Sequence, residues 1–383
     1  PEDTPPITPE TLAAAERDES ARLLAIYRAT LQASTAEEHA SAPIHQLFWH
    51  RLTGGRFTSF YEGKDVPLPK SAWLPVPQTG FPEDGMAGNV VAPLAGARSE
   101  PPSSQDAMPG NVVAPLAGAR SEPPSSQDAM PGNVVAPLAG ARSEHPGIPF
   151  DQLLKYRWVI NGVAQQRTLG ELVERAKIVL NPAQAAMTII GHGDAHFGNV
   201  FLESAGRALT GQPQRSSLHL NDDVAPGNVV APLVGARSTY LYFDPAFAGR
   251  HSPLLDVVKP LFHNVFATWM YFPQEIAQKL QLSVEVHDRA ISIEHDYTLT
   301  PIRRAILQTK IEHLLMPLIE ELRSLHALPA NWPEVMQLAL MCCPLLTINL
   351  LDGTRMPPSI SWLGLSLAVQ MGNNGMDSWR NDL

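Results

Sequence analysis

A short polar loop between two apolar stretches holds the residues of this chain that are best suited to chemistry. Residues 187–190 are predicted to form a buried strand, which runs directly into residues 191–199, with the sequence GHGDAHFGN. Two histidines, one aspartate and one asparagine fall within eight residues there, and a second apolar stretch follows at 200–202. Because catalytic groups usually sit on loops held by a rigid frame, this loop predicts an active or binding site.

The spacing of the polar residues indicates which kind of reaction the loop could catalyse. His192, Asp194 and Asn199 have the spacing His-x-Asp-x-x-x-x-Asn of a kinase catalytic loop, in which the aspartate accepts the hydroxyl proton and the asparagine binds metal. Further along, the β-prone stretch 238–243 ends at Asp244, where a kinase places its second metal ligand. One or two protein oxygens suffice for Mg²⁺, because the ion also takes phosphate oxygens and waters.

The order of these motifs resembles the aminoglycoside phosphotransferase and choline kinase superfamily. The similar features are His-Gly-Asp-x-His-x-x-Asn at 192–199, Phe-Asp-Pro at 243–245 and an aspartate, Asp256, near a helix start. The resemblance implies an α+β fold with a protein-kinase-like C-terminal lobe, mainly helical, in which short β-hairpins carry the catalytic loop. It also implies an ATP- and Mg²⁺-dependent enzyme that phosphorylates a hydroxyl of a small molecule, such as an aminoglycoside, choline or a sugar.

The same resemblance implies a role for most residues of the motifs. Asp194 would be the catalytic base, Asn199 and Asp244 would hold Mg²⁺ and with it ATP, and His192 would brace the loop. His196 would either contact substrate or brace the loop, and the sequence leaves both roles open.

Two further groups have ordinary structural explanations beside the functional ones. Asp256 would anchor the loop from the following helix, although an acidic residue at a helix start is also favoured by the helix dipole alone. The aromatic residues Trp269, Tyr271 and Phe272 could line a substrate pocket, but helix packing is the commoner explanation. His251 and His263 are predicted to be ordinary histidines with no metal spacing between them.

The chain departs from the family in its first part. No glycine-rich phosphate loop or strand lysine is found, and the early lysines, Lys64 and Lys70, lie in a proline-rich stretch. With Pro1 in place of a starting methionine, this predicts that the nucleotide-binding lobe is missing from the chain. The alternative function is therefore a catalytically inactive, truncated pseudokinase.

The amino-acid composition argues against several classes of protein. With 28 Lys+Arg against 38 Asp+Glu, the net charge is −10, which argues against binding to nucleic acid or anionic membranes. The two cysteines, Cys342 and Cys343, are adjacent in an apolar run and are predicted to be buried rather than disulfide-bonded or reactive. That run, 338–351, is too short to span a bilayer, and no signal peptide is found, so a cytoplasmic protein is expected.

Proline is unusually frequent, with 36 residues. A 22-residue repeat begins at Gly88, Gly110 and Gly132, and a shorter copy occupies 227–238. The copies are rich in proline and lack a helical or strand face, so they are predicted to be disordered insertions rather than a solenoid. The predicted organisation is a helical segment at 1–81, a flexible insertion at 82–147, and a kinase-like lobe at 148–383 with a short insertion at 222–238.

The remaining elements are predicted from periodicity and turn signals. Helices are expected at 9–32, 44–52, 169–179, 254–271, 274–282, 301–328, 333–351 and 359–371, with Pro317 kinking or splitting the sixth. Asn161-Gly162 predicts a tight β-hairpin after residues 156–160. Strands are expected to cluster between about 156 and 245.

Overall fold

The structure, a computed structural model, describes residues 8–69, 147–204 and 238–374. These residues fall within one compact unit that joins Thr8–Pro75 to His145–Leu383. They form a mixed α+β fold in which helices predominate. The predicted insertions, 82–147 and 222–238, lie outside the described residues except at their last positions, where Gly147 and Ser238 each begin a strand.

The helices and strands alternate unevenly along the described ranges. The helices are α1 (Pro9–Thr30), α2 (Ala36–Ser41), α3 (Trp49–Thr53), α4 (Arg56–Tyr61), α5 (Phe150–Leu153), α6 (Leu169–Val179), α7 (Pro253–Leu261), α8 (Thr268–Tyr271), α9 (Pro273–Lys279), α10 (Pro301–Lys310), α11 (Met316–Ser324), α12 (Trp332–Thr347) and α13 (Pro358–Asn373). The strands are β1 (Gln32–Ser34), β2 (Asp65–Pro67), β3 (Gly147–Pro149), β4 (Arg157–Ile160), β5 (Val163–Ala164), β6 (Ala186–Gly191), β7 (Val200–Ser204), β8 (Ser238–Tyr242), β9 (Gly249–His251), β10 (Leu282–Val286) and β11 (Ala290–His295).

Within the described ranges the strands form four small sheets. Their orders are β1-β6-β9, β10-β11-β4-β5, β2-β3 and β7-β8. Neighbouring strands are antiparallel except β11 and β4, which run parallel. The predicted strand before the polar loop is confirmed as β6. β1 pairs with its first half, residues 186–188, and β9 pairs with its second half, residues 189–191, so β9 is the strand that holds β6 where the loop begins.

Local signals in the sequence set several element boundaries. Thr8 caps α1, because its hydroxyl accepts a hydrogen bond from the Thr11 backbone at 3.2 Å, and Pro9 occupies the first turn as predicted. The predicted helix at 169–179 is confirmed as α6, which begins with a reciprocal capping box between Thr168 and Glu171. The predicted hairpin also forms, with Asn161 and Gly162 at φ 48° and 74° between β4 and β5.

The prediction that strands end near residue 245 is wrong. Strands β10 and β11 lie beyond it, and each alternates buried and less buried residues, as a half-covered strand does. β11 pairs with β4 in parallel, so its place is set by a partner about 130 residues earlier. Such a non-local pairing leaves only a short alternating pattern in the sequence.

Three predicted helices are interrupted. The helix expected at 254–271 is divided by a π-helical turn, Phe262–Phe266, into α7 and α8. The helix expected at 44–52 divides into a 3₁₀ turn, Pro43–Leu47, and α3, because fully buried Phe48 has a non-helical backbone at φ −122° and ψ −86°. The helix expected at 301–328 contains a π-helical turn, Ile311–Leu315, just before Pro317. Proline lacks an N–H and its ring clashes with the carbonyl four residues back, so a widened turn accommodates it as the predicted kink.

The longest apolar helices, α12 and α13, lie in the core rather than at the surface. Cys342 and Cys343 are both buried and unbonded, as predicted, and burial raises the pKa of both thiols. In the described ranges no helix is both long and apolar enough to cross a membrane.

Helix α1 also carries buried charge into the interface with α10. Glu16, Glu19 and Lys310 are at most 4% exposed, and the Lys310 ammonium lies 2.7 Å from the Glu16 carboxylate and 3.9 Å from the Glu19 carboxylate. One ammonium cannot neutralise two buried carboxylates. Burial therefore raises the pKa of Glu19 to about 7, with Lys310 opposing and Glu16 reinforcing the shift.

This surplus carboxylate predicts a pH-dependent stability. Because the pKa of Glu19 is higher in the folded chain than in the unfolded one, stability is greatest below the unfolded pKa and falls as pH rises toward 7. Glu19→Gln should remove this loss and raise the free energy of unfolding at pH 8 by up to about 3 kcal/mol. Urea denaturation at pH 5 and pH 8 measures the effect, with exposed Glu37→Gln as the control. The prediction is contradicted if the gain in stability of Glu19→Gln over the parent chain is smaller at pH 8 than at pH 5.

Candidate active site

The polar loop, residues 192–199, lies between the ends of β6 and β7. Strands β7 and β8 pair antiparallel with Val200 opposite Tyr242, so the residues just beyond them, Asn199 and Phe243, also lie side by side. The Phe243 N–H donates to the Asn199 carbonyl at 2.8 Å. This register brings Asp244, 50 residues after Asp194 in the chain, to the same end of the hairpin as the loop.

Asp194 and Asn199 are joined directly. The Asn199 side-chain nitrogen donates to the Asp194 backbone carbonyl at 2.9 Å, which closes the loop across five residues. With its nitrogen committed to the loop, the Asn199 amide has its oxygen left as the group that can bind a cation. The Asp194 Oδ1 atom is buried and has no hydrogen-bond partner among the residues that the structure describes. Burying a carboxylate oxygen without a hydrogen-bond partner costs free energy. Such an atom therefore indicates a site where a ligand or a proton binds.

Asp244 has an unusual backbone. It has φ 53° and ψ 67°, a left-handed conformation that is uncommon for residues other than glycine, and Pro245 follows it. A residue before proline is normally extended, so the conformation is doubly disfavoured here. The Asp244 side chain is exposed. Such strain is concentrated at functional sites, where the surrounding structure holds a side chain in one direction.

His192 links the two halves of the site. Its Nδ1 atom accepts a hydrogen bond from the Asp194 backbone N–H at 3.3 Å, which leaves Nε2 as the nitrogen that donates. Nε2 donates to the Phe243 carbonyl at 2.8 Å. The ring therefore bridges the loop to the residue directly before Asp244, and the structure places it where a bracing residue would stand.

Asp256 supports the loop from α7 and is 3% exposed. Its Oδ1 accepts hydrogen bonds from the Gly193 N–H at 2.6 Å and from His251 Nε2 at 2.9 Å, and its Oδ2 accepts one from the Tyr27 hydroxyl. Burial alone would raise the pKa of Asp256, but these hydrogen bonds and the His251 ring hold it below its ordinary value. His251 was predicted to be an ordinary histidine and is instead a buried partner of this carboxylate.

Gly193 makes this anchoring geometrically feasible. Its φ of +79° favours glycine, and a β-carbon there would lie 2.6 Å from the Phe247 carbonyl oxygen. The loop therefore approaches both the 244–248 segment and Asp256 through its smallest residue.

His196 faces Asp194 from the other side of the loop. Its Nδ1 accepts a hydrogen bond from the Gly198 N–H at 3.0 Å, and its Nε2 lies 4.0 Å from the Asp194 Oδ1. The ring stacks on His263 with centroids 4.8 Å apart. Burial lowers the pKa of both histidines, and for His196 it outweighs the opposing effect of the Asp194 carboxylate. Both rings are therefore neutral near pH 7, and His263 is not the ordinary histidine that was predicted.

The aromatic residues after α7 divide between core and surface. Trp269 is fully buried and packs in the core, whereas Tyr271 and Phe272 are about half exposed. The Tyr271 hydroxyl is hydrogen-bonded to His263 Nδ1. Of the three, only the last two can touch a ligand near the loop.

Sequence reasoning missed the positive charges around Asp194. Lys259 is 3% exposed, donates to the Thr347 hydroxyl at 2.9 Å, and has its pKa lowered by burial against the opposing effects of Cys343 and Asp194. Burial likewise lowers the pKa of Arg51, and Asp194 again opposes the change. Lys259 is the single charged residue after Asp256 in an otherwise apolar helix, and that isolation was the available signal.

The oxygen ligands present suit Mg²⁺. Asn199 supplies an amide oxygen, and Asp244 supplies an exposed carboxylate directly after Phe243, whose N–H is bonded to the Asn199 backbone. The remaining positions on Mg²⁺ are usually taken by phosphate and water. The described part of the chain has no group of three or more histidine, cysteine, aspartate or glutamate side chains that could hold a metal by themselves.

Protein-family models, curated protein sequences and solved structures were compared with this chain, and none of them matches.

Proposed function

We propose that this chain is the catalytic, protein-kinase-like lobe of a phosphotransferase that uses ATP and Mg²⁺ to phosphorylate a hydroxyl of a small molecule. One observation carries the proposal: the hydrogen-bonded loop closure between Asn199 and Asp194, with Asp244 held in a strained conformation at the adjoining hairpin end. These are the two types of group, a base and a pair of oxygen ligands, that phosphoryl transfer to a hydroxyl requires at neighbouring positions.

Asp194 is the catalytic base of the proposal. The Asp194 carboxylate accepts the hydroxyl proton while the acceptor oxygen attacks the terminal phosphorus of ATP, so the proton ends on the carboxylate and ADP leaves. Neutral His196 keeps its Nε2 4.0 Å from the buried Oδ1 of Asp194 and helps to orient the carboxylate. His192 and Asp256 fix the loop backbone, which keeps Asp194 directed at the acceptor.

Asn199 and Asp244 are the proposed metal ligands. Bound Mg²⁺ would neutralise charge on the phosphates of the nucleotide. The protein's own contribution is to hold the two oxygens ready: Asn199 through its bond to Asp194, and Asp244 through its fixed left-handed backbone. That preorganisation removes the ordering cost from the binding step.

Calorimetry with ATP, with and without Mg²⁺, tests the proposal. Binding is expected only with Mg²⁺, and Asp244→Asn should weaken it about tenfold or more, because a neutral amide replaces a charged ligand. Asp288→Asn, an exposed aspartate in the turn between β10 and β11, is the matched control and should bind normally. No detectable Mg·ATP binding by the parent chain would instead favour the inactive pseudokinase.

A further inference from the structure

A cationic side chain, Arg303, stands beside the 192–199 loop. Its Nη1 donates to the Asn264 carbonyl, and its guanidinium carbon lies 6.0 Å from the centre of the Phe197 ring. Asn264 in turn accepts a hydrogen bond from the Phe197 N–H at 2.9 Å through its side-chain oxygen. Arg303 is thereby tied to the loop residue three places after Asp194, yet it takes part in none of the ion pairs found within the described ranges.

Arg303 also lines a cavity of about 210 Å³ between α9 and the start of α10. Lys279 contributes a second cation to its wall, and Thr268, Thr298 and Thr300 contribute hydroxyl groups. Asp296 lies in the same wall, and its Oδ1 accepts a hydrogen bond from the Gln281 N–H at 3.0 Å. Tyr297 also lines the cavity, but its hydroxyl donates to the Phe266 carbonyl, and the Thr300 hydroxyl accepts from the Arg303 N–H. The two cations against one carboxylate therefore suit this cavity to an oxyanion.

The charged residues around Asp194 also favour an anionic ligand. Tyr271 lies within electrostatic range of both Asp194 and Arg303: burial raises its pKa, Asp194 adds to the rise, and Arg303 opposes it. Lys259 and Arg51 add positive charge near the same carboxylate. These cations disfavour a positively charged acceptor on the Arg303 side of the loop.

We propose that the hydroxyl acceptor of this enzyme carries an oxyanion, a carboxylate or a phosphate ester, which Arg303 and Lys279 bind while its hydroxyl faces Asp194. This inference rests on the proposed phosphotransferase function. Arg303 suits the role because a planar guanidinium binds two oxygens of a carboxylate or phosphate at once. It also opposes the cationic aminoglycosides and choline that the resemblance suggested as acceptors.

Four small hydroxyl compounds serve as probes: glycerate, glycerol 3-phosphate, glycerol and choline. Calorimetry without nucleotide measures their binding, and a Mg·ATP assay measures their phosphorylation. We expect binding of glycerate, glycerol 3-phosphate or both, which also distinguishes carboxylate from phosphate, and none of glycerol or choline. Failure of both anions to bind, or binding of choline alone, would overturn the inference.

Substitutions identify the cavity. Arg303→Gln should weaken anion binding about tenfold or more, Arg303→Lys should restore part of it by returning the charge without the planar fork, and exposed Arg289→Gln should have no effect. If Arg303→Gln fails to fold, Lys279→Gln tests the same cavity, because Lys279 is an exposed residue of its wall. This variant should bind the anion severalfold more weakly than the parent chain. Anion binding that neither Arg303 variant nor Lys279→Gln changes would refute this location.

The two proposals fail in different ways. Anion binding that depends on Arg303, with no phosphorylation and no Mg·ATP binding, would refute the phosphotransferase function but keep the oxyanion site. Phosphorylation of glycerol or choline that is insensitive to Arg303 would keep the function and refute the site.

Discussion

Asp194→Asn is expected to lower the rate of phosphoryl transfer by about a thousandfold, within the usual range for loss of a general base. The amide is the same size as the carboxylate, but it cannot accept the acceptor's proton. Because the Asn199 bond uses the backbone carbonyl of residue 194, the substitution leaves the loop closure intact. Nucleotide affinity and the thermal midpoint should therefore stay close to those of the parent chain.

Steady-state kinetics with the acceptor found by the probe experiments measures this effect, and calorimetry measures the nucleotide affinity. The control is Asp288→Asn, an identical chemical change at an exposed turn. If the Asp194→Asn variant keeps more than a tenth of the parent activity, another group must accept the proton.

Asp256→Ala is expected to have the largest effect on stability, a loss of about 3–5 kcal/mol in the free energy of unfolding. The substitution leaves three buried donors without an acceptor: the Tyr27 hydroxyl, the His251 ring and the Gly193 N–H. Asp256→Asn should cost less, because the amide oxygen still accepts from part of this set. Urea denaturation of both variants, beside Asp288→Asn, measures the difference.

The Asp256 effect should also depend on pH. The pKa of Asp256 is lower in the folded chain than in the unfolded one, so its contribution is present above the unfolded pKa and is lost as pH falls through the folded value. The stability gap between the parent chain and Asp256→Ala should therefore narrow below about pH 4. A gap that is constant from pH 3 to pH 7 would mean that the lost contacts are steric rather than ionic.

The loop and its strands could be predicted from the sequence because the determining signals are local. The strand before His192, the closing asparagine and the β-prone run ending at Asp244 all lie within about 60 residues, and each has its own pattern of apolar and polar positions. The capping of α1 and α6 and the Asn161-Gly162 turn were predictable for the same reason.

The supports of the site could not be predicted, because they depend on contacts between distant parts of the chain. Tyr27 is 229 residues from the carboxylate it binds, and β11 finds its partner β4 only in the folded chain. Arg303 lies 106 residues beyond Phe197 and has no motif around it. Single-sequence patterns carry no information on such pairings, so the anchoring aspartate was anticipated only by resemblance and the cations not at all.

The two repeat-bearing segments leave and re-enter the fold at the ends of antiparallel ladders. Pro67 pairs with Gly147 across the first, and Ser204 pairs with Ser238 across the second. Each segment therefore begins and ends at two paired, neighbouring strand ends. The entropy cost of closing a longer loop grows only with the logarithm of its length. Adding or removing a 22-residue unit between Pro67 and Gly147 is consequently expected to leave the register at Asn199 and Asp244 unchanged. The two segments bounded by these paired strand ends are therefore suitable places to insert a reporter domain into this chain.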